Sequence, residues 1–266
     1  MDERKTKLYR FLAAAAVLAL IATGCTEQKS GVLKVGVRAD IMNFGYFNEE
    51  TGKYYGLEID IAEELARRLG YDAAEFVTVK PDNRKEMLLD GKVDCVIAAY
   101  SAADTRRENL DFSEPYYIDE TRIMTEESSL IHAPQQLKNK TIGIMNGSNA
   151  GPLLAEKLFE LSLITDTVVS NTETETVYEG ARVLKAESYS ELSAYLEEGI
   201  VDAACMDSCI ALTYMNEDRR FLELSIAEQQ YGVATVKDSA LSKPIADAVH
   251  EMLDDGTIAG FIDKWD

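Results

Sequence analysis

"LLDGKVDCVIAAYS", residues 88–101, reads as a helix end, a glycine and a buried strand in succession. Gly91 suits the left-handed residue that ends a helix. Val93 to Ala98 is apolar apart from Asp94, as a strand covered on both faces should be. The same plan returns at "LEEGIVDAACMDS" (196–208), with Gly199 and Val201-Asp202 in the matching places. A β-rich run with a central glycine precedes each copy: "LKVGVRAD" (33–40) and "KTIGIMNGSN" (140–149). Gly36 lies 58 positions before Asp94, and Gly143 lies 59 before Asp202. The simplest explanation is two lobes of similar plan.

Helix patterns fill the space between the echoed strands. In "GLEIDIAEELARRLG" (56–70), Ile61, Leu65 and Leu69 recur every four residues, with Ala62 and Ala66 beside them. Glu63–Arg67 and Glu64–Arg68 are spaced to pair on the wet face, and Gly70 stops the helix. Pro152 suits the first turn of a helix running to about Leu161, and Ser190 is a candidate cap for "ELSAYLEEG". Strands alternating with helices predict an α/β fold with mainly parallel sheets. Ligands of such sheets sit at the strands' carboxyl ends, here Arg38–Asp40, Ala99–Ala103, Met145–Ala150 and Met206–Asp207. The Thr/Glu alternation of "VVSNTETETVYEGARVLKA" (168–186) predicts a surface hairpin, an excursion from the second lobe.

The 266 residues suffice for one large domain or two medium ones. Their net charge of -20 argues against nucleic acid, which needs a basic stripe, and against adsorption to anionic lipid. The first 24 residues read as a secretory signal: Arg4, Lys5, Lys7 and Arg10, then the apolar "FLAAAAVLALIATGC". Ala22-Thr23-Gly24 before Cys25 resembles a bacterial lipobox, which implies a lipid on Cys25 and a short polar tether over 25–30. Cys95, Cys205 and Cys209 make no CxxC or Cys/His metal spacing. Cys95 lies in an apolar strand, and a bond between Cys205 and Cys209 stays open.

Several motifs in order carry a resemblance to bacterial family 3 solute-binding proteins, the amino-acid receptors of ABC importers. "GLEIDIAEELARRL" (56–69) is similar to that family's signature of glycine and alternating apolar and acidic residues. "DTRRENLDFSEPYY" (104–117) resembles its arginine followed by Asp-Phe-Ser-x-Pro-Tyr. "EQQYGVATVKD" (228–238) and "DGTIAGFIDKWD" (255–266) resemble its return crossover and closing helix. The resemblance implies a type II periplasmic-binding-protein fold: two lobes joined by two crossovers and closing like a clamp. Mapped onto this chain, the first lobe is 31–115 plus 232–266 and the second is 121–226. The hinges fall near 116–120 and 227–231.

The resemblance also implies a site. Arg106 would form a two-pronged bond to the α-carboxylate of an amino acid, helped by Ser101 and by the backbone amides of Ser148 and Asn149. Asp207 and the carbonyl of Ala99 would take the α-ammonium. Arg38 and Arg84 stand at rim positions that, in similar relatives, meet a side-chain carboxylate; this points to glutamate or aspartate, with glutamine or another polar amino acid as the alternative. Each has a plainer rival: Arg106 could pair with Glu108 or Asp111, Arg38 and Arg84 with Asp40 or Asp82, Asp207 could cap a helix and Ser148 could be a turn residue. The chain departs from the family in having Ala99 where glycine is usual, Ser101 and Ala103 where threonine is usual, and Met145 and Met206 at positions often polar.

No HExxH, GxSxG or GxxxxGK[ST] motif is present, so neither enzymatic activity nor a cofactor or metal is expected. An enzyme on the same fold, such as a dehydratase, and a sensory domain are the rival readings. Transport implies a separate permease and ATPase, and an extracytoplasmic, lipid-anchored location.

Overall fold

The computed structural model describes residues 31–266. The signal, Cys25 and the tether lie outside the described residues. No helix among those described is long and apolar enough to cross a membrane.

Fifteen strands are described. β1 (Val32–Val37) is followed by a small antiparallel sheet of β2 (Asp40–Ile41), β3 (Gly45–Asn48) and β4 (Lys53–Tyr55). β5 (Ala73–Thr78), β6 (Cys95–Ile97) and β7 (Leu110–Phe112) complete the outward run of the first lobe. The second lobe holds β8 (Tyr117–Glu126), β9 (Thr141–Met145), β10 (Val168–Asn171), β11 (Glu175–Tyr178), β12 (Ala181–Ala186), β13 (Ala203–Asp207) and β14 (Arg219–Tyr231). β15 (Ala234–Val236) returns to the first sheet, whose order is β5-β1-β6-β15-β7; the second sheet runs β10-β11-β12-β9-β13-β8-β14.

The sheets are mixed. At their centres β1 pairs in parallel with β5 and β6, and β9 with β12 and β13, as the apolar echoed strands predict. The strands that enter and leave each lobe run antiparallel: β8 against β13 and β14, and β15 against β6 and β7. A chain that crosses between two sheets and comes back must add its return strand in the opposite sense.

The internal echo is a real structural repeat. Asp94 accepts from the Lys34 amide at 2.8 Å while its own amide donates to the Lys34 carbonyl. Asp202 does the same with Thr141. Each aspartate therefore locks its strand's entry to the neighbouring parallel strand. Gly91 and Gly199 have φ of 68° and 70°, the left-handed helix ends the pattern calls for.

Helix Leu57–Arg68 buries Ile61, Ala62, Leu65 and Ala66 against β1 and the C-terminal helices. Glu64 takes both arginines of its wet face, Arg68 at 2.7 Å and Arg67 at 2.6 Å, leaving the expected Glu63–Arg67 pair unmade. Asp60 accepts from the Lys264 ammonium and the Trp265 indole, which fastens the closing helix Thr257–Trp265. In the second lobe, helix Ala150–Glu160 sets Leu154 and Leu158 into a core with Ile142, Ile144, Val183 and Cys205. The helix over 189–197 is capped by Ser188, whose hydroxyl accepts from the Glu191 amide, and not by Ser190.

Residues 168–186 divide. β10 and β11 form the expected hairpin, but β12 is a core strand between β11 and β9, with Ala181, Val183 and Ala186 buried. Cys205 and Cys209, whose pairing the sequence leaves open, are both buried free thiols, as is Cys95.

Candidate functional site

The lobes touch across a cleft rimmed by the predicted strand ends. Gly147, at φ 71°, comes so close to the first lobe that an added Cβ would lie 2.6 Å from Asp82 backbone atoms. The Arg38 guanidinium lies 5.4 Å from the ring centroid of Tyr189, which opens the helix after β12. At the crossovers, Tyr117 opposes Tyr231 in register, and the two rings stack at 6.1 Å.

Four peptides beyond β6 carry most of the first lobe's side of the site. Ala99 has φ 45°, the left-handed conformation in which a side chain is strained and glycine is not, which accounts for the glycine usual in relatives. Ser101 is buried and bridges to Tyr231. Arg106 follows in the short helix Asp104–Arg107. Its Nη1 donates to the Ser101 carbonyl at 2.9 Å, and its guanidinium lies 4.6 Å from the Tyr100 ring centroid. Among the described residues no carboxylate pairs with it. Burial lowers its proton affinity, while Tyr100 and Asp207 act in the opposite sense.

Arg84 opens helix Arg84–Leu89 and is 3% exposed. Its Nη1 donates to the Ala98 carbonyl at 2.6 Å and the Ala99 carbonyl at 3.3 Å, and its guanidinium lies 4.0 Å from the same Tyr100 ring. It has no carboxylate partner among the described residues, and its Nε has no hydrogen-bond partner. Burial, with Arg106 nearby, pushes its pKa down to about 9. Arg38 differs. Its Nε and Nη2 are both taken by Asp40, at 2.9 and 2.7 Å, so the protein acid weighed as its alternative partner holds it. Burial works against its charge, but Asp40 leaves its pKa raised overall.

From the second lobe, Asp207 ends β13. Thr121 donates to its Oδ1 at 2.5 Å and Tyr231 to its Oδ2 at 2.7 Å; Gln229 in turn donates to Thr121. Asp207 stands at the N-cap of helix Ser208–Thr213 but makes no side-chain cap bond. Burial raises its pKa, with the two hydroxyls pulling it back. Ser148 is tied into its own turn, both its amide and its hydroxyl donating to the Met145 carbonyl. Asn149 stands at the N-cap position of helix Ala150–Glu160 without a side-chain cap bond, and lines a cleft of about 270 Å³ with Ser101, Ala103, Asp104 and Gln230.

Thus Arg84, Ala99, Ser101 and Arg106 come together around Tyr100 with Asp207 in electrostatic reach, while Arg38 and the Ser148 amide are already engaged. A larger cavity of about 410 Å³ lies elsewhere, between the β10–β11 hairpin and helix Ala150–Glu160. Its one cation, Lys185, donates to the Thr172 carbonyl, and it gathers no charged groups of both signs as the inter-lobe site does. Sequence reasoning assigned no role to Glu58, Tyr100, Tyr189 or Tyr231. Glu58 carried a signal: its helical neighbours three, four and seven residues on are Ile61, Ala62 and Leu65, all apolar and buried, and it is 0% exposed itself.

The chain is 27% identical to a glutamine-binding protein of an ABC transporter from Bacillus subtilis, covering 86% of this chain and 79% of the relative. It is 28% identical to an L-cystine-binding protein from Escherichia coli, covering 90% and 84%. Among solved structures, an ancestral arginine-binding protein bound to glutamine superposes with a TM-score of 0.74 at 29% identity, covering 88% of this chain and 97% of the other. The sequence profile of the bacterial extracellular solute-binding proteins, family 3, matches residues 33–266, and the chain belongs to that family.

Proposed function

We propose that this chain is the extracytoplasmic receptor of an amino-acid ABC importer, closing on a polar L-amino acid between its lobes, with glutamate or aspartate favoured. The observation that carries this reading is the pair of guanidiniums, Arg84 and Arg106, over the Tyr100 ring, with no carboxylate of the described residues on either. In this reading Arg106 neutralises the α-carboxylate, and Asp207 with the Ala99 carbonyl takes the α-ammonium. Arg84 is then left for the ligand's side chain. An arginine or lysine side chain would meet a buried like charge there; a carboxylate would be matched, and an amide tolerated. Arg38 contributes only the donors Asp40 leaves over, and Ser148 and Asn149 border the α-carboxylate from the second lobe. Glutamine is the near alternative, supported by relatives that bind it. A lipid on Cys25 would hold the receptor at the membrane beside a separately encoded permease and ATPase.

A thermal-shift panel of the twenty amino acids tests the assignment. A ligand at a hundred times its Kd adds about 2.7 kcal/mol, or roughly 5–10 °C for a chain of this size. The largest shift is expected with L-glutamate or L-aspartate, followed by L-glutamine. A largest shift with arginine or lysine rejects the proposal.

A further inference from the structure

Strand β6 ends at Ile97, so the next peptide unit, formed by the Ala98 carbonyl and the Ala99 amide, must find its hydrogen-bond partners elsewhere. It finds two buried side chains. Arg84 Nη1 donates to the Ala98 carbonyl at 2.6 Å, and Glu58 Oε1 accepts from the Ala99 amide at 2.5 Å. The side chains are 3% and 0% exposed and make no direct ion pair, so guanidinium and carboxyl are joined through one peptide. Burial raises the Glu58 pKa, with Tyr116 and the Ala99 amide pulling it back. Tyr116 adds its hydroxyl to the same Glu58 oxygen at 2.6 Å. Ala99 is the next residue, in the left-handed conformation that disfavours alanine. Its carbonyl is the group proposed above for the ligand's ammonium.

We propose that Glu58 and Arg84 are the two jaws of a peptide clamp that holds Ala99 left-handed and so aims its carbonyl at the bound amino acid. The inference rests on the amino-acid reading above for its ligand, but the clamp itself is a property of the first lobe. Glu58 is therefore a positioning residue that touches no ligand. An acceptor at one end of a peptide and a guanidinium donor at the other polarise it and strengthen both bonds. That gain offsets the strain a glycine at 99 would not have. In this account a clamp is needed because the chain has alanine there.

The test is a cycle of Glu58→Gln and Ala99→Gly. Glutamine keeps one acceptor oxygen and replaces the other carboxyl oxygen by an amide nitrogen. Affinity for L-glutamate is measured by calorimetry in the wild-type, both single variants and the double variant. Glu58→Gln is expected to weaken binding. Adding Ala99→Gly to it should recover roughly fivefold or more. The same glycine in the wild-type background should gain clearly less. Comparing Glu58→Gln with the double variant holds residue 58 constant, so the recovery isolates the backbone. A glycine effect equal in both backgrounds overturns the clamp. If neither L-glutamate nor L-glutamine binds the wild-type protein, the choice of ligand fails, and melting temperatures of the four proteins still decide the clamp. Glu58→Gln should melt lower, and Ala99→Gly should restore more in that background than in the wild type. Should Glu58→Gln not fold, the cycle with Arg84→Lys, which alters the other jaw, takes its place with the same outcomes.

Discussion

Replacing Arg106 by alanine separates the site from the scaffold. Among the described residues Arg106 makes one charged hydrogen bond, to the Ser101 carbonyl, and one ring contact, with Tyr100. Those contribute about 2–4 kcal/mol together. Burial already disfavours its charge, and removing a half-buried cation returns part of that sum. The net loss of stability should be about 1–2 kcal/mol, or roughly 2–8 °C in melting temperature. Binding should suffer far more. A ligand carboxylate shut into the cleft without its guanidinium costs about 3–5 kcal/mol, a loss of roughly 150- to 5,000-fold in Kd. Calorimetric titration of L-glutamate into Arg106→Ala measures the second quantity, and a melting curve the first. Arg107→Ala is the matched control: Arg107 is exposed, donates to the Ala102 carbonyl and should change affinity by less than about twofold. A folded Arg106→Ala protein whose Kd stays within about tenfold of wild type would refute the reasoning.

Arg84→Met should weaken both L-glutamate and L-glutamine, because both lose the grip on the Ala98 carbonyl, but L-glutamate by at least about tenfold more, since only it loses a counter-charge; parallel titrations check the ratio. Gly147→Ala places a Cβ 2.6 Å from the Asp82 backbone in a left-handed residue, so the lobes should fail to close and every amino acid should bind at least about tenfold more weakly; X-ray scattering should show the variant staying extended when ligand is added. Hydrogen bonds, from Arg67 first and then Arg68, hold the Glu64 carboxyl down at about 2. Its stabilisation is therefore fully present above the unfolded value of about 4.3 and is lost as pH falls through about 2. With the exposed Arg67 discounted, Glu64→Gln should cost about 1 kcal/mol at pH 7 and nothing near pH 2, read from melting curves at both pH values.

The lobes were legible because their markers are local. A glycine two residues before Val-Asp reports a left-handed helix end and the entry of a parallel strand, and both copies do in the structure what the pattern implies. The antiparallel crossovers were less legible, since the sense of β8 against β14 depends on how the chain returns and not on the apolarity of either strand. Arg106, Arg84 and Asp207 could be singled out by motif, but their partners could not. Asp40 lies two residues from Arg38 and captures it only because β1 ends in a turn that swings the carboxylate back. The Thr/Glu alternation that marks the surface hairpin stops before β12, where Ala181, Val183 and Ala186 turn into the core, so one pattern does not describe all of residues 168–186. Glu58 shows the limit most plainly. Its helical spacing marks it as buried but nothing local names its partner: Asp60 ties down the closing helix, while Glu58 turns inward to a peptide forty-one residues away.

A structure of the protein crystallised with L-glutamate examines the central claim most directly. The account predicts the α-carboxylate within about 3 Å of the Arg106 guanidinium and the α-ammonium between Asp207 and the Ala99 carbonyl, with both lobes shut around them. Ligand bound elsewhere, or Arg106 turned out to solvent in the bound state, would contradict it.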